Sequence, residues 1–159
     1  MIILFYGQPG SGKTTLADEL FLRLNHTVRY SAEYMADFKF IRIDGDKWRS
    51  ITKNKDYSKE GRIYNLKGAF DMALYLEKEG YLPILSFVSP YQELRQYLKE
   101  NSNLYVGINL EYQSDREKNQ YFAEDFENSD DYNLKINTTY RSVDDCVDEV
   151  IMYCGKIYK

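Results

Sequence analysis

Two cysteines, three prolines, one tryptophan and one histidine are all that this chain of 159 residues holds of those four types. Each scarcity excludes something. Two thiols, Cys146 and Cys154, do not make the framework of a disulfide-stapled secreted scaffold. In a helical pattern they would lie about 12 Å apart along the axis, too far to bridge each other, and their place on a core-facing stripe fits a reducing compartment. The one histidine, His26, has no partner at ligand spacing, so it is given no role and no structural zinc is expected. No apolar run approaches the roughly 20 residues of a membrane span, and the opening Met-Ile-Ile-Leu-Phe-Tyr lacks the length and basic flank of a secretory signal. A cytoplasmic protein with no membrane partner is expected. Positive charge is not in excess either: 21 Lys and Arg against 25 Asp and Glu leave a net charge of −4. That argues against general nucleic-acid binding, while local cations and helix N-termini can still hold a small anion.

What is present is ordinary for one globular domain. Hydrophobic residues make up 43% and charged residues 29%, too apolar for a disordered chain. The length suits a single domain over 1–159 that buries about two-thirds of its unfolded surface. Sixteen tyrosines read as a composition bias without functional content.

Strand and helix patterns alternate along the chain. Ile2 to Tyr6 is an all-apolar run that reads as a buried strand. After a glycine-rich stretch, Leu16, Leu20 and Leu24 mark a helix; Asn25 to Asp37 reads as a loop with a short extended piece at Thr27–Tyr30. Phe38 to Ile43 is a second strand, stopping at Asp44-Gly45-Asp46. Ser58 to Glu79 is a helix with Ile63, Leu66, Phe70, Ala73 and Leu74 on its apolar face, ended by Gly80. Leu82 to Val88 is a third strand, a helix follows to about Asn101, and Leu104 to Leu110 is a fourth strand. Residues 111–131 are polar and aperiodic, which at this length marks a lid or binding loop. Tyr132 to Asn137 is a fifth strand. Ser142 then caps a last helix with Val143, Cys146, Val147, Val150, Ile151 and Cys154 on one stripe. The alternation predicts an α/β domain with a parallel sheet covered on both faces.

Between the first strand and first helix stands Gly7-Gln8-Pro9-Gly10-Ser11-Gly12-Lys13-Thr14-Thr15, a complete Walker A phosphate loop in its required context. Gly10 and Gly12 can take the positive φ that a nest of inward N–H groups demands. The helix N-terminus adds partial positive charge. Lys13 is expected on the β- and γ-phosphates and the Thr14 hydroxyl on Mg²⁺. All nine residues from Gly7 to Thr15 are assigned to binding ATP. The fold class is therefore a phosphate-loop three-layer sandwich with a five-stranded parallel sheet. No Asn-Lys-x-Asp base-reading motif of a GTP switch is present, nor the strand ending in Asp-Glu of a larger ATPase. A small-molecule kinase remains.

A second set of residues gathers at the ends of the later strands. Asp44 and Asp46, as i and i+2 of a strand end, can face one site, where a carboxylate orders a metal-bound water or takes a hydroxyl proton; a solvated Asp-Gly turn is the other reading. Asp44 joins Thr14 as a metal ligand. Arg49, Arg62 and Asn65 suit phosphate or sulfate oxygens. Phe87 stacks on a base or is plain core, and Ser89, after Val88 at the end of the third strand, can position an oxyanion. In the lid, Arg116 and Lys118 either cover the transferring phosphoryl group or are solvated.

In order, the Walker loop, Ile43-Asp44-Gly45-Asp46-x-x-Arg49, Tyr57-Ser58-x-x-Gly61-Arg62-x-x-Asn65, Ser86-Phe87-Val88-Ser89-Pro90-Tyr91, and Thr138/Thr139 followed by Ser142-Val143-Asp144-Asp145-Cys146-Val147 resemble adenylylsulfate kinase, over Met1 to about Tyr153. The resemblance implies transfer of the γ-phosphoryl group of ATP, with Mg²⁺, to the 3′-hydroxyl of adenylylsulfate. It implies places near the 3′-hydroxyl and Mg²⁺ for Asp44 and Asp46, contacts to the phosphosulfate and ribose from Arg49, Arg62 and Asn65, and stacking of Phe87 on the adenine. Together with the reading of the residues, the expected catalytic set is Lys13, Asp44, Asp46 and Ser89, and the expected substrate contacts are Asp46, Arg49, Arg62, Asn65, Phe87, Val88, Ser89 and, from the lid, Lys118, with Arg116 toward ATP. Ser89 matches a serine the family describes as a phosphoserine intermediate. In-line transfer needs only positioning and charge stabilisation, so positioning is its expected role. The chain departs from the family at Gly61, where Asp is usual, at Lys67 and Gln92, where Arg is usual, and in a shortened lid in which Phe122 or Phe126 is the candidate for a lost aromatic. The alternatives left open are another nucleotide, a sugar-like hydroxyl or a polynucleotide end as acceptor, and a non-catalytic nucleotide-binding module. A small-molecule nucleotide is the expected partner; a homodimer is left open.

Overall fold

The computed structural model describes residues 1–30, 39–113 and 121–157, without the side chains of 27–30. Five strands form one sheet: β1 (Ile2–Tyr6), β2 (Lys39–Asp44), β3 (Tyr81–Phe87), β4 (Tyr105–Glu111) and β5 (Leu134–Asn137). Their spatial order is β2-β3-β1-β4-β5, and every pairing is parallel, with Leu4 opposite both Leu85 and Gly107. The helices are α1 (Lys13–Tyr30), α2 (Gly45–Thr52), α3 (Lys59–Lys78), α4 (Gln92–Asn101) and α5 (Val143–Ile157).

A parallel sheet buries both faces, and the central strand shows why its sequence is uniformly apolar. Ile2, Leu4 and Tyr6 point to one side, where they meet Leu66, Phe70, Leu85 and Leu98 beneath α3 and α4. Ile3 and Phe5 point to the other, against Leu16, Leu20, Ile108, Val147 and Val150 beneath α1 and α5. The strands all end on one edge. There β1, with β3 on one side and β4 on the other, leaves the crevice in which open α/β sheets take ligands.

Local signals fix most boundaries. The Ser58 hydroxyl accepts from the Gly61 N–H and caps α3, and Gly80 ends it with φ +85°. The Ser142 hydroxyl accepts from the Asp145 N–H at 3.0 Å and starts α5. Three expectations are corrected. Thr27–Tyr30 is helical, not extended, because α1 continues to Tyr30; the Asn25 side chain bonds the Phe21 carbonyl at 2.7 Å within that helix. Ile63 is 37% exposed, and the buried face of α3 carries Arg62 and Asn65 beside Leu66, Ala69 and Phe70. Asp46 belongs to the first turn of α2, so Asp44 and Asp46 converge through a helix cap and not through strand alternation. Among the described residues, no helix is long and apolar enough to cross a membrane. Cys146 is buried and Cys154 partly buried on α5, both as thiols.

Two glycines of α3 make opposite demands. A Cβ at Gly61 would lie 2.3 Å from the Asp56 carboxyl carbon and 2.5 Å from its carbonyl oxygen, whereas at Gly68 it would meet Trp48 at an ordinary 3.6 Å. Gly68→Ala should therefore raise stability by about 0.5–1 kcal/mol through helix propensity. Gly61→Ala should lower it by about 1–3 kcal/mol through overpacking. Urea midpoints measure both, and shifts of the same sign would contradict this packing.

Candidate active site

The turn after β1 is built by glycine at three points. Gly10 and Gly12 hold φ of +84° and +91°. Gly7, with φ of +149°, has a packing reason as well: a Cβ there would stand 2.3 Å from the Leu110 carbonyl oxygen. The Ser11 N–H donates to the Gln8 carbonyl at 3.2 Å, and Leu16 N–H to Gly12 at 2.9 Å, closing the loop onto α1. Lys13 Nζ reaches back to the Gln8 carbonyl at 2.7 Å and to Ser11 Oγ at 3.4 Å. Burial pulls the Lys13 ammonium down to about 8, against the opposing pull of Asp46 and Asp44.

Across from this loop, Asp44 ends β2 and caps α2. Its Oδ1 accepts from the Asp46 and Lys47 N–H groups at 3.1 and 3.2 Å. Its Oδ2 accepts from Thr14 Oγ1 and Ser86 Oγ, both at 2.8 Å. Burial alone would raise this carboxyl, but the donors from Ser86, Thr14 and the two amides leave it below the ordinary aspartate range. Behind it, Arg42 donates to Ser86 Oγ at 3.1 Å, to the Ile84 carbonyl at 2.8 Å and to Asp18 at 2.9 Å. A hydroxyl has one proton; with Arg42 filling a lone pair of Ser86, that proton is directed at Asp44.

The far wall comes from α2, α3 and the β3–α4 turn. Arg49 donates to the carbonyls of Asn54 and Asp56 and lies 4.2 Å above the Tyr57 ring. Arg62, buried, donates to the Tyr57 carbonyl at 2.9 Å and the Tyr121 carbonyl at 3.1 Å. The Tyr57 and Tyr121 rings stand 4.7 Å apart. Phe87 is 3% exposed and set edge-on to Phe70, as a core residue would be, and it also lines the cavity. Ser89 has φ +44°, a strained value for a non-glycine residue. Among the described residues, neither its Oγ nor Asn65 Oδ1 finds a hydrogen-bond partner, although both atoms are buried. Groups in that state are costly unless a ligand completes them.

These walls enclose one cavity of about 430 Å³, lined by the phosphate loop from Pro9 to Thr15 apart from Ser11, by Asp44 and Asp46, and by Arg49, Arg62, Asn65, Phe87, Val88 and Ser89. Gly7, Gln8 and Ser11 are not among its lining residues. Arg116 and Lys118 lie outside the described residues. Phe126 packs against the core beside Arg95, and the aromatic that reaches the cavity from the end of the lid is Tyr121. Among the described residues, no group of three or more His, Cys, Asp and Glu could hold a metal. Gly61 is explained by its neighbour: where the family carries Asp, the Asp56 carboxyl group occupies the space.

Sequence reasoning assigned no role to Tyr57, Tyr121, Ser86, Arg42 or Arg95. The last is 1% exposed and bonds the Ser89 and Glu127 carbonyls, Ser129 Oγ and Asp131. Only its position between Leu94 and Leu98 hinted that it turns inward.

A phosphate loop at the tip of the central strand, facing a capped carboxylate across a crevice, defines a phosphate-loop protein of the small-kinase class. Comparison with known proteins narrows this. The adenylylsulphate kinase family model matches residues 1–127, and the chain belongs to that family. It is 28% identical to the adenylyl-sulfate kinase of Prochlorococcus marinus, over 95% of this chain and 81% of the relative. It is 32% identical to a probable adenylyl-sulfate kinase of Archaeoglobus fulgidus, over 67% and 64% of the two chains. The Mycobacterium tuberculosis APS kinase CysC, solved in complex with AMPPNP and APS, superposes with a TM-score of 0.78 at 18% identity, over 97% and 96%. A gluconokinase from Sinorhizobium meliloti gives 0.64 at 11%, over 98% and 91%.

The Lys13 titration has a readable sign. Its ammonium must be charged to hold a triphosphate, so affinity should be level below about pH 8 and fall as pH rises through that value. Unliganded stability moves the other way. The unfolded chain keeps the Lys13 proton up to its ordinary value of 10.5, so this group's contribution grows with pH between about 8 and that value. Calorimetric titration with ATP from about pH 7.5 to 9.5 checks the first; unchanged affinity across that range would refute it.

Proposed function

We propose that this chain is an ATP-dependent phosphotransferase with an alcohol acceptor, moving the γ-phosphoryl group of ATP to the 3′-hydroxyl of adenylylsulfate and releasing 3′-phosphoadenylylsulfate and ADP. The observation that carries the reading is one cavity that holds all of these together, with a phosphate loop at one end, carboxylates between, and arginines with aromatic rings at the other. Family membership supplies the acceptor.

The chemistry follows from which atoms are already spent. Loop N–H groups and Lys13 hold the β- and γ-phosphates. Thr14 Oγ1, whose proton goes to Asp44 Oδ2 at 2.8 Å, keeps its lone pairs as a hard oxygen that suits Mg²⁺ and would hold it, and Asp44 would order the ion's water; the ion would neutralise charge on the transferring group. Both Asp44 oxygens are occupied by donors, so Asp46, on the cavity wall, is the carboxylate that takes the 3′-hydroxyl proton. Arg49 and Arg62 hold the phosphosulfate. Asn65 and Ser89 offer their unpaired oxygens to the substrate, and Phe87 with the Tyr57–Tyr121 pair supplies flat apolar surface for its adenine. Ser89 acts by positioning.

Incubation with Mg-ATP and adenylylsulfate should yield ADP and the 3′-phosphorylated product in equal amounts; a folded, ATP-binding sample giving neither would reject the acceptor. Lys13→Ala should lower kcat/KM by on the order of 10²–10³ with the fold retained. Arg62→Ala should raise the KM for adenylylsulfate about tenfold and that for ATP far less. Steady-state kinetics on both variants reads each directly, and equal effects of Arg62→Ala on the two constants would displace it from the acceptor side.

A further inference from the structure

Gln8 occupies a variable position of the phosphate loop, and its side chain does not line the cavity. It is spent elsewhere. Its Nε2 donates to the Ala123 carbonyl at 2.8 Å, and its Oε1 accepts from the Ala123 N–H at 3.1 Å. The amide thus pairs with a backbone unit as a neighbouring strand would, at a residue only 2% exposed. Two positions before Ala123, the Tyr121 carbonyl accepts from Arg62, and the Tyr121 ring lies against Tyr57, which in turn carries Arg49 on its face. Residues 121–123 therefore bridge the phosphate loop and the arginines of the opposite wall.

The bridge meets the loop where its occupancy is felt. Lys13 Nζ bonds the Gln8 carbonyl at 2.7 Å. A bound triphosphate needs that ammonium for itself, so binding withdraws a charged donor from the residue whose side chain pins Ala123. We propose that Gln8 is a positioning residue that couples nucleotide occupancy of the phosphate loop to assembly of the acceptor wall, through the Ala123 backbone and the Tyr121–Arg62 bond. The acceptor side of this coupling rests on the function proposed above; the loop side does not. Arg95 anchors the chain that follows this segment through the Glu127 carbonyl, Ser129 and Asp131. Motion passed on by Gln8 is thereby confined to the 121–123 stretch.

Two measurements on the parent protein and Gln8→Leu, which removes both bonds at similar volume, test this. The first is hydrogen exchange of peptides covering 121–127, with and without the non-hydrolysable analogue β,γ-imido-ATP, nucleotide binding being checked by calorimetry. Nucleotide should change exchange in this segment several-fold in the parent and leave it unchanged in Gln8→Leu, which still binds nucleotide. An equal nucleotide response in both proteins, or none in the parent, overturns the coupling whatever the acceptor is. The second is steady-state kinetics with adenylylsulfate. Gln8→Leu should raise the acceptor KM about tenfold and the ATP KM less than about threefold. Gln8→Glu, which keeps the acceptor for the Ala123 N–H but sets an anionic oxygen against its carbonyl, should not rescue it. Parallel increases in both constants, or rescue by Gln8→Glu, overturn the proposal. A parent that shows the exchange response but no turnover of adenylylsulfate would reject the acceptor assignment and leave the loop coupling standing.

Discussion

The Asp44 carboxylate is the constraint on which the rest of this site depends. It terminates a strand, caps a helix and receives hydroxyls from α1 and β3, so three layers of the fold are registered on two oxygen atoms. Charge-assisted bonds of this kind are the strong ones. Leaving donors unpaired in a buried place costs more than the bonds themselves contribute. Arg42 completes the arrangement from outside by fixing the direction of the Ser86 proton. The result is a carboxylate that stays ionised and stays put, which is what a metal-ordering group requires and what a proton acceptor does not. The roles proposed for two acids only two residues apart rest on this difference in hydrogen bonding.

A different logic governs the acceptor wall. There the polar groups are incomplete: among the described residues Asn65 Oδ1 and Ser89 Oγ are buried and unpaired, and Ser89 sits at a backbone angle that an ordinary residue avoids. Arg95 holds that angle by bonding the Ser89 carbonyl at 2.7 Å while its guanidinium lies 4.7 Å from the Tyr6 ring centre. A buried arginine is expensive to desolvate, and here its cost is offset by Asp131, Ser129 and two carbonyls. Strain and unmet valence at the front are thus supported by full satisfaction behind.

Much of this was legible in the residues. The order of strands and helices followed from periodicity and from glycine and serine at element ends, and Gly7 through Thr15 could be read as a phosphate loop because its chemistry is local. Arg49, Arg62, Asn65, Phe87 and Ser89 do meet in one cavity. The short α2 escaped notice because it has no buried residue and begins with glycine, so it shows no apolar stripe. Tyr57, Tyr121 and Arg95 escaped because their meaning is tertiary. Beyond the nearby Ser89 carbonyl, Arg95 finds its partners 32 to 36 positions ahead, and Gln8 finds its partner 115 positions away. No window of sequence contains both ends of such a bond. Asp56 standing in for a side chain at Gly61 is of the same kind: the substitution looks like a loss until the neighbouring turn is seen.

The central position of β1 has a consequence for how the molecule comes into being. This strand precedes both of its flanking partners, β3 and β4, in the chain, and Gly7 packs on the carbonyl of Leu110. Its edges stay unmatched while about a hundred further residues leave the ribosome, since nonlocal parallel pairing pays its loop-closure entropy before any contact repays it. An apolar pentapeptide waiting that long is exposed to mispairing. The phosphate loop that leaves β1 is therefore complete only once β4, far along the chain, has paired with that strand.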